Sequence, residues 1–182
     1  MRCLLVVLGT MFLGSSIPSQ EPGGAWLDVP FVKQSEDACG SAALAMLLQY
    51  WNAHGAAIDA ARFDATAIQK ELYSPKARGI YASDMERYLR GSGFRTFSIT
   101  GKWEDLREQL VKGRPLIVGL QPGGRKSPLH YVVITGMNWV DDTLLVNDPA
   151  RGKLLRVGRA NFEKQWQRVH NWMLLAVPQQ AN

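Results

Sequence analysis

Apolar residues recur along the chain in two spacings, one typical of helices and one typical of strands. Residues 40–51 are almost wholly apolar, which predicts a helix that is buried on every side. Amphipathic spacing and end signals predict further helices at about residues 59–72, 83–91, 103–111 and 161–167. Ser83 and Glu86 have the spacing of a capping box, so we expect them to cap the start of the helix that ends near residue 91.

Short apolar runs bounded by turn residues predict strands, mostly in the second half of the chain. These strands lie at residues 94–99, 115–120, 130–135, 143–146 and 172–177, and residues 21–33 are expected to be extended. Residues 130–135 and 143–146 flank a turn near Asp141 and Asp142, so they are expected to pair as two antiparallel strands. Because helices come first and strands mostly later, we predict an α+β fold rather than alternating α/β.

The first 20 residues have the pattern of a secretory signal peptide. Arg2 precedes an apolar run at residues 3–13, small residues follow, and cleavage is expected between Ser16 and Gln20. The run is shorter than the roughly 18 apolar residues that a membrane-spanning helix needs, so we expect no membrane span after cleavage. We therefore expect an exported protein, periplasmic or secreted, with a signal peptide at residues 1–20 and a single domain at residues 21–182.

The composition fits one globular domain and excludes several classes of protein. The 182 residues are 46% hydrophobic and 20% charged, with a net charge of +5. That length can bury a full core without help from metals or disulfides. The basic residues are spread along the chain among acidic ones and accompany no stacking motif, so we expect no nucleic-acid partner. Three scattered histidines and one mature cysteine lack ligand spacing, so we expect neither a metal nor another cofactor.

Cys39 is the residue that points most directly to chemistry. Cys3 would leave with the signal peptide, so the mature chain keeps one thiol and cannot form an intrachain disulfide. Cys39 stands between the polar residues 34–37 and the buried helix, and Gly40 gives the chain room to enter that helix. Free N–H groups and the helix dipole favour an anion such as a thiolate there. Lone cysteines are more often small buried hydrophobic residues, but this polar setting favours a nucleophile.

A nucleophilic cysteine needs a base, and the three histidines differ in their settings. His54 follows the first helix and suits a helix C-terminal cap, and His170 lies in a polar, solvated stretch. His130 opens an apolar strand directly after the Gly- and Pro-rich residues 122–128, where a polar group can stand at the rim of a core. His130 is therefore the candidate base, with a structural histidine at the core edge as the alternative.

The expected strand pair brings a carboxylate to the same edge as His130. The start of one strand lies near the end of the other, so His130 and Asp148 would meet within a few residues of register. Such a carboxylate fixes the imidazole tautomer and supports the imidazolium. Asn147 competes for this role because neighbouring strand residues face opposite sides, and Asp148 followed by Pro149 also fits a plain turn.

Two further features concern the substrate. The side-chain amide of Gln34, with the backbone N–H of Cys39, could form an oxyanion hole, although a loop glutamine is usually solvated. Residues 122–128 lead into His130, so we expect this loop to border the substrate cleft. A basic run that follows Asp148 could attract acidic substrate segments, but a solvated basic face is the preferred interpretation; its members are Arg151, Lys153, Arg156 and Arg159.

The motif from Gln34 to Gly40, the motif starting at His130 and the motif from Asn147 to Pro149 together resemble the papain-like cysteine peptidases. The chain is most similar to the bacteriocin-processing, double-glycine leader peptidases and their stand-alone relatives, in motif order from about residue 31 to 172. The resemblance implies a papain-like fold, with a helical half that carries Cys39 and an antiparallel sheet half that carries His130 and Asp148. It also implies that Cys39 is the nucleophile, His130 the general base and acid, Asp148 the orienter of His130, and Gln34 an oxyanion donor.

These features predict an exported cysteine peptidase that hydrolyses peptide bonds in a peptide or protein substrate through a thioester. The best-known relatives are domains fused to peptide-exporting ABC transporters. Since this sequence shows no transporter and is expected to be exported, cleavage after two glycines is not carried over. The alternatives are an amidase or transpeptidase that uses the same triad, a non-catalytic peptide-binding module, and a structural thiol protein. No oligomeric state is predicted.

Overall fold

Most of the helical residues that the structure describes lie in the first half of the chain, and most of the strands, which form one antiparallel sheet, lie in the second. The computed structural model describes residues 23–123 and 127–179, so the expected signal peptide and residues 124–126 of the expected loop lie outside it. The α-helices in the described ranges are α1 (Cys39–Ala53), α2 (Ala65–Leu72), α3 (Ala82–Gly91), α4 (Trp103–Val111) and α5 (Arg159–Trp166). The strands are β1 (Gly24–Trp26), β2 (Phe94–Thr100), β3 (Leu116–Leu120), β4 (His130–Asn138), β5 (Thr143–Asp148), β6 (Gly152–Gly158) and β7 (Trp172–Pro178).

The sheet places the ends of β4 and β5 side by side. Its strand order is β2-β7-β3-β4-β5-β6, and β1 pairs with the far end of β4. Every pairing between these strands is antiparallel. The predicted α+β class is confirmed, and so is the antiparallel pairing of the two strands that carry His130 and Asp148.

Helix α1 is the centre of the core. Its sequence is apolar on every side, and each residue from Gly40 to Leu48 is buried. The helix packs against α2 and, across from it, against β4 and β3. Near its end the Tyr50 hydroxyl donates a hydrogen bond of 2.8 Å to the carbonyl of Gly113. These contacts hold the first turn of α1 at a fixed position relative to β4.

The predicted helix at residues 59–72 is two helices in the structure. A 3-10 helix (Ala60–Phe63) is capped by Asp59, and α2 starts a residue after Asp64, whose carboxylate accepts from the N–H of Ala67 at 2.7 Å. The extended backbone of Asp64 breaks the helical path, because a good N-cap residue takes a non-helical conformation.

The capping box predicted at Ser83 and Glu86 is wrong. Helix α3 begins at Ala82, so Ser83 already lies inside the first turn, and the N-cap residue Tyr81 makes no side-chain cap bond. Glu86 instead pairs with Arg90 one turn further along the helix at 3.3 Å.

Strand β6 was not predicted, because an irregularity hides its alternation. The ladder between β5 and β6 shifts register between Val146 and Asp148, and Leu154 on β6 has a φ of 54°. Because of the bulge, two consecutive residues, Leu154 and Leu155, are both half-buried. The period-two pattern that identifies a strand is therefore lost.

Candidate active site

Cys39 is the first residue of α1 and is half-buried at the mouth of a cleft. The chain reaches it through a tight loop in which Asp37 has a φ of 51° and Ala38 donates to the carbonyl of Ser35. A Cβ on Gly40 would lie 3.2 Å from the Cβ of Ile80, so the glycine lets α1 begin close against its neighbour. As the first residue of the helix, Cys39 has a backbone N–H with no acceptor inside α1.

His130 and Asp148 meet at the end of the β4–β5 ladder. Val133 pairs with Asn147, so the next position of the antiparallel ladder sets Val132 opposite Asp148. His130 is two residues from Val132 and therefore lies on the same face of the sheet. The His130 Nε2 and the Asp148 Oδ1 lie 2.7 Å apart, with side chains only 18% and 9% exposed. The same Oδ1 accepts from the N–H of Ala150 at 3.0 Å, which holds the carboxylate in place.

The side chain of Cys39 lines the same cleft as the His130 ring and interacts with it electrostatically. Because Nε2 is engaged by Asp148, the ring nitrogen available to the thiol is Nδ1. The imidazole therefore has one nitrogen engaged by the Asp148 carboxylate and the other left for the thiol of Cys39. In this geometry the imidazole can take a proton from the thiol, while the carboxylate fixes the tautomer of the imidazole.

Electrostatics in this group favour a charged histidine. Burial alone lowers the pKa of His130, but the hydrogen bonds to Asp148 and Cys39 and their charges outweigh it and raise the pKa to about 9. Burial raises the pKa of the Asp148 carboxyl, yet the hydrogen bond from His130 and its charge hold that pKa below its usual value. The arrangement can therefore hold an imidazolium beside a carboxylate at neutral pH.

Gln34 lies at the same cleft, and its loop is fastened to the turn after Asp148. Its backbone N–H donates to the carbonyl of Pro149 at 3.0 Å, which joins the helical half to the sheet half next to the site. Its side chain lines both this cleft and a second cavity of about 330 Å³. Its Oε1 is buried and has no hydrogen-bond partner among the residues that the structure describes.

Asn147, the competitor of Asp148, faces away from His130. It is fully buried, its Nδ2 donates to the carbonyl of Val29 at 3.1 Å, and its Oδ1 accepts from the N–H of Leu154 at 3.0 Å. Its side chain thus satisfies the backbone at the β6 bulge. Asn147 has a structural role, and Asp148 is the residue beside His130.

The cleft has a volume of about 520 Å³ and extends from Cys39 over one face of the sheet. Pro122, Ser127 and Pro128 line it, so the described part of the loop before His130 borders the cleft as expected. Sequence reasoning missed the contributions of β6 and α5, from which Leu155 and Asn161 line the cleft. The adjacent apolar residues Leu154 and Leu155 were the sequence signal that could have revealed β6 as a strand beside the cleft.

The other two histidines lie apart from this group. His54 caps the end of α1, where its Nδ1 lies 2.7 Å from the carbonyl oxygen of Tyr50, and His170 is exposed. Among residues 23–123 and 127–179, no three histidine, cysteine, aspartate or glutamate residues are grouped so that they could hold a metal ion. Over the same ranges no helix is long and apolar enough to cross a membrane.

Comparison with known proteins gives one family and several similar folds. The model of the Peptidase_C39 like family matches residues 26–173. No curated protein sequence matches the chain. The family match spans most of the chain and includes all four candidate residues.

Solved structures of three peptidases are similar to this fold. A C39-like peptidase from Bacillus anthracis is 18% identical, with a TM-score of 0.65 over 85% of this chain and 96% of that one. A double glycine motif protease from an AMS/PCAT transporter, solved in complex with the leader peptide, is 20% identical, with a TM-score of 0.63 over 85% and 94%. The peptidase domain of Streptococcus ComA, a bi-functional ABC transporter involved in a quorum sensing pathway, is 23% identical, with a TM-score of 0.63 over 81% and 97%. These similarities confirm the predicted papain-like α+β fold.

Proposed function

The chain belongs to the Peptidase_C39 like family and is a cysteine peptidase, and from that premise we propose that Cys39, His130, Asp148 and Gln34 carry out its reaction. The observation that carries this proposal is that Cys39, His130 and Asp148 line one cleft, with the His130 Nε2 2.7 Å from the Asp148 carboxylate. The fold supports the class of enzyme, and this geometry supports the assignment of roles.

In the first half of the reaction Cys39 forms a thioester with the substrate. His130 takes the proton of the thiol, and the sulfur attacks the carbonyl carbon of the peptide bond. The negative charge that develops on the carbonyl oxygen is stabilised by the backbone N–H of Cys39 and by the side-chain amide of Gln34. The C–N bond then breaks, and His130 gives its proton to the leaving amine.

In the second half water resolves the thioester. His130 now takes a proton from water, the resulting hydroxide attacks the same carbonyl carbon, and the thiolate of Cys39 leaves. The acyl product departs as a carboxylic acid. Asp148 stays ionised throughout and supports the imidazolium in both steps, which its lowered pKa permits.

The substrate that fits this site is an extended segment of a peptide or protein. The cleft is open and about 520 Å³ in volume, large enough for a few side chains. A similar solved structure contains a leader peptide, which supports a peptide substrate here as well.

The deciding experiment is the rate of Cys39 alkylation by iodoacetamide as a function of pH. We expect reaction to persist well below pH ~8.5, the ordinary range for a free thiol. His130→Ala should remove this reactivity at low pH. The matched control is His54→Ala, which removes an exposed histidine outside the cleft and should leave the profile unchanged. A slow rate that rises only at high pH and ignores His130 would falsify the triad.

Acyl-enzyme trapping tests the covalent step. Acid quenching during turnover of a peptide mixture should give a mass increase on Cys39 equal to the acyl part of a substrate, and Cys39→Ala should give none. Gln34→Ala should lower kcat by about 10²–10³-fold, as the removal of an oxyanion donor does, while alkylation stays at the rate of the unmodified protein. Adding a free amine separates hydrolysis from acyl transfer, because a transferase would form the amide product.

We also propose that the protein is exported and loses residues 1–20. The support is the pattern of Arg2, the apolar residues 3–13 and the small residues that follow. Expression of the full chain and N-terminal sequencing of the exported product should show cleavage between Ser16 and Gln20. Retention of Met1 on the exported or cell-bound protein would contradict the proposal.

A further inference from the structure

The basic run after Asp148 is divided by the fold into residues with and without a carboxylate partner. Three of its four cations have such a partner: Lys153 pairs with Asp28 at 3.2 Å, Arg156 with Asp141 at 2.6 Å, and Arg159 with Glu163 at 2.9 Å. Arg151, the fourth, has no ion pair and no side-chain hydrogen bond with any residue in the part of the chain that the structure describes. If the four side chains formed a uniformly solvated basic face, Arg151 would not differ from the other three in lacking an ion pair.

Arg151 is held next to the catalytic group by the turn between β5 and β6. Its backbone N–H donates to the carbonyl of Asp148 at 3.0 Å, and its side chain lines the same cleft as Cys39. The charge of Arg151 adds to the lowering of the Asp148 pKa, after burial, which raises it, and the contacts with His130 and Ala150, which lower it. The guanidinium is therefore electrostatically close to the reacting centre.

The other charges of the cleft are balanced. Three arginines line it, and Arg78 lies 3.5 Å from Asp37. Arg156 has its partner in Asp141, and Asp148 has His130. Among the described residues that line the cleft, Arg151 is thus the arginine without an ion-pair partner.

The surroundings make that unbalanced charge useful for binding. The floor of the cleft is apolar, with Val132, Val146 and Leu155 from three neighbouring strands, so a bound peptide would displace water above it. Opposite charges attract more strongly where water is excluded, and a guanidinium can hold a carboxylate by two parallel hydrogen bonds. The complementary ligand is a carboxylate carried by the substrate.

We propose that Arg151 selects substrates with an acidic side chain close to the bond that Cys39 attacks. This inference rests on the proposed function and adds a preference to it. Arg151 is a specificity residue, because it contacts the substrate away from the reacting atoms.

The test uses peptides synthesised as twins that differ only by Glu or Gln at one position near the cleaved bond. For one position we expect the Glu twin to be cleaved with a kcat/KM about tenfold higher, in the range of a partly desolvated ion pair. Arg151→Gln should make the twins equal, and Arg151→Lys should keep part of the preference. The matched control is Lys153→Gln, which removes the same charge two residues away and outside the lining of the cleft, and it should keep the preference.

Each possible result bears on the proposal. Equal cleavage of the twins by the unmodified protein at every position overturns it, as does a Glu preference that survives Arg151→Gln. Loss of the preference in Lys153→Gln to the same degree would also overturn it, since the effect would then come from the overall field. If neither twin is cleaved and no acyl group is trapped on Cys39, the proposed function itself fails and this inference falls with it.

Discussion

Replacing Asp148 by asparagine tests how the charge beside His130 controls the nucleophile. The substitution keeps the size of the side chain and an oxygen within reach of Nε2, but it removes the negative charge 2.7 Å from the ring. The pKa of His130 is raised from 6.5 to about 9 by Asp148 and Cys39 against the opposing effect of burial. Without the carboxylate, we expect the pKa of His130 to fall to its ordinary value or below.

The size of the effect follows from that pKa. With a pKa of about 9, His130 is almost fully protonated at pH 7, whereas a pKa of 6.5 leaves about one quarter of it protonated. This accounts for about a fourfold loss. Weakening the charge-assisted hydrogen bond that orients the ring adds about 2 kcal/mol, or roughly 30-fold. We therefore expect kcat/KM at pH 7 to fall by about 10²-fold in Asp148→Asn.

The assay is the pH dependence of kcat/KM and of Cys39 alkylation. In the unmodified protein the basic limb should lie near pH 9, where the imidazolium loses its proton, and in Asp148→Asn it should move to lower pH. The matched control is Asp37→Asn, which removes another carboxylate from the same cleft, one paired with Arg78 instead of His130. A basic limb that stays near pH 9 in Asp148→Asn, or moves equally in Asp37→Asn, refutes this account of the site.

Three further predictions concern stability. The folded-state pKa of His130 lies above its ordinary value of 6.5, so the stability that its protonation contributes is complete below about pH 6.5 and is lost as the pH rises to about 9. Urea denaturation should therefore give a free energy of unfolding that falls by at most about 3 kcal/mol across that range. A free energy of unfolding that does not change over this range would contradict the prediction. Asn147→Ala leaves one buried and one half-buried backbone group unpaired and should lower the free energy of unfolding by about 2–4 kcal/mol, whereas the exposed Asn52→Ala should change it little. Gly136→Ala would place a Cβ 2.7 Å from a backbone oxygen of β1 and should lower the melting temperature by several degrees; an unchanged melting temperature would show that β1 is not held as described.

The parts of the fold that were predicted correctly depend on local patterns. Helix α1 is recognisable because its residues are apolar on all sides, and only a helix at the centre of a core can bury such a surface. The β4–β5 pair is recognisable because two apolar runs flank a turn, in which Asp142 takes a φ of 48°. Pairing them was enough to bring His130 near Asp148, since an antiparallel pair sets the start of one strand against the end of the next.

What could not be predicted depends on contacts between distant segments. The choice between Asn147 and Asp148 required the exact register, because a shift of one residue exchanges the two faces of β5. Strand β6 was missed because its bulge at Leu154 is stabilised by a side chain from β5, a contact absent from the local sequence. The helix break at Asp64 was missed, and the cap at Ser83 was wrongly predicted, for a related reason. Several polar residues near each helix start could serve as its cap, and the local sequence does not decide between them.

The two halves of the site differ in how much of the fold they need. The pair of His130 and Asp148 depends on β4 and β5, which are close in sequence and joined by one turn. Cys39 is 91 residues before His130 and reaches it only when α1 packs against β4. The bond from Gln34 to the carbonyl of Pro149 joins these halves at the site itself, so it couples the loop before the nucleophile to the turn after the carboxylate. The thiol is therefore placed beside its base only in the fully packed protein, and partial unfolding that separates α1 from the sheet would remove the activity while leaving the histidine–aspartate pair intact.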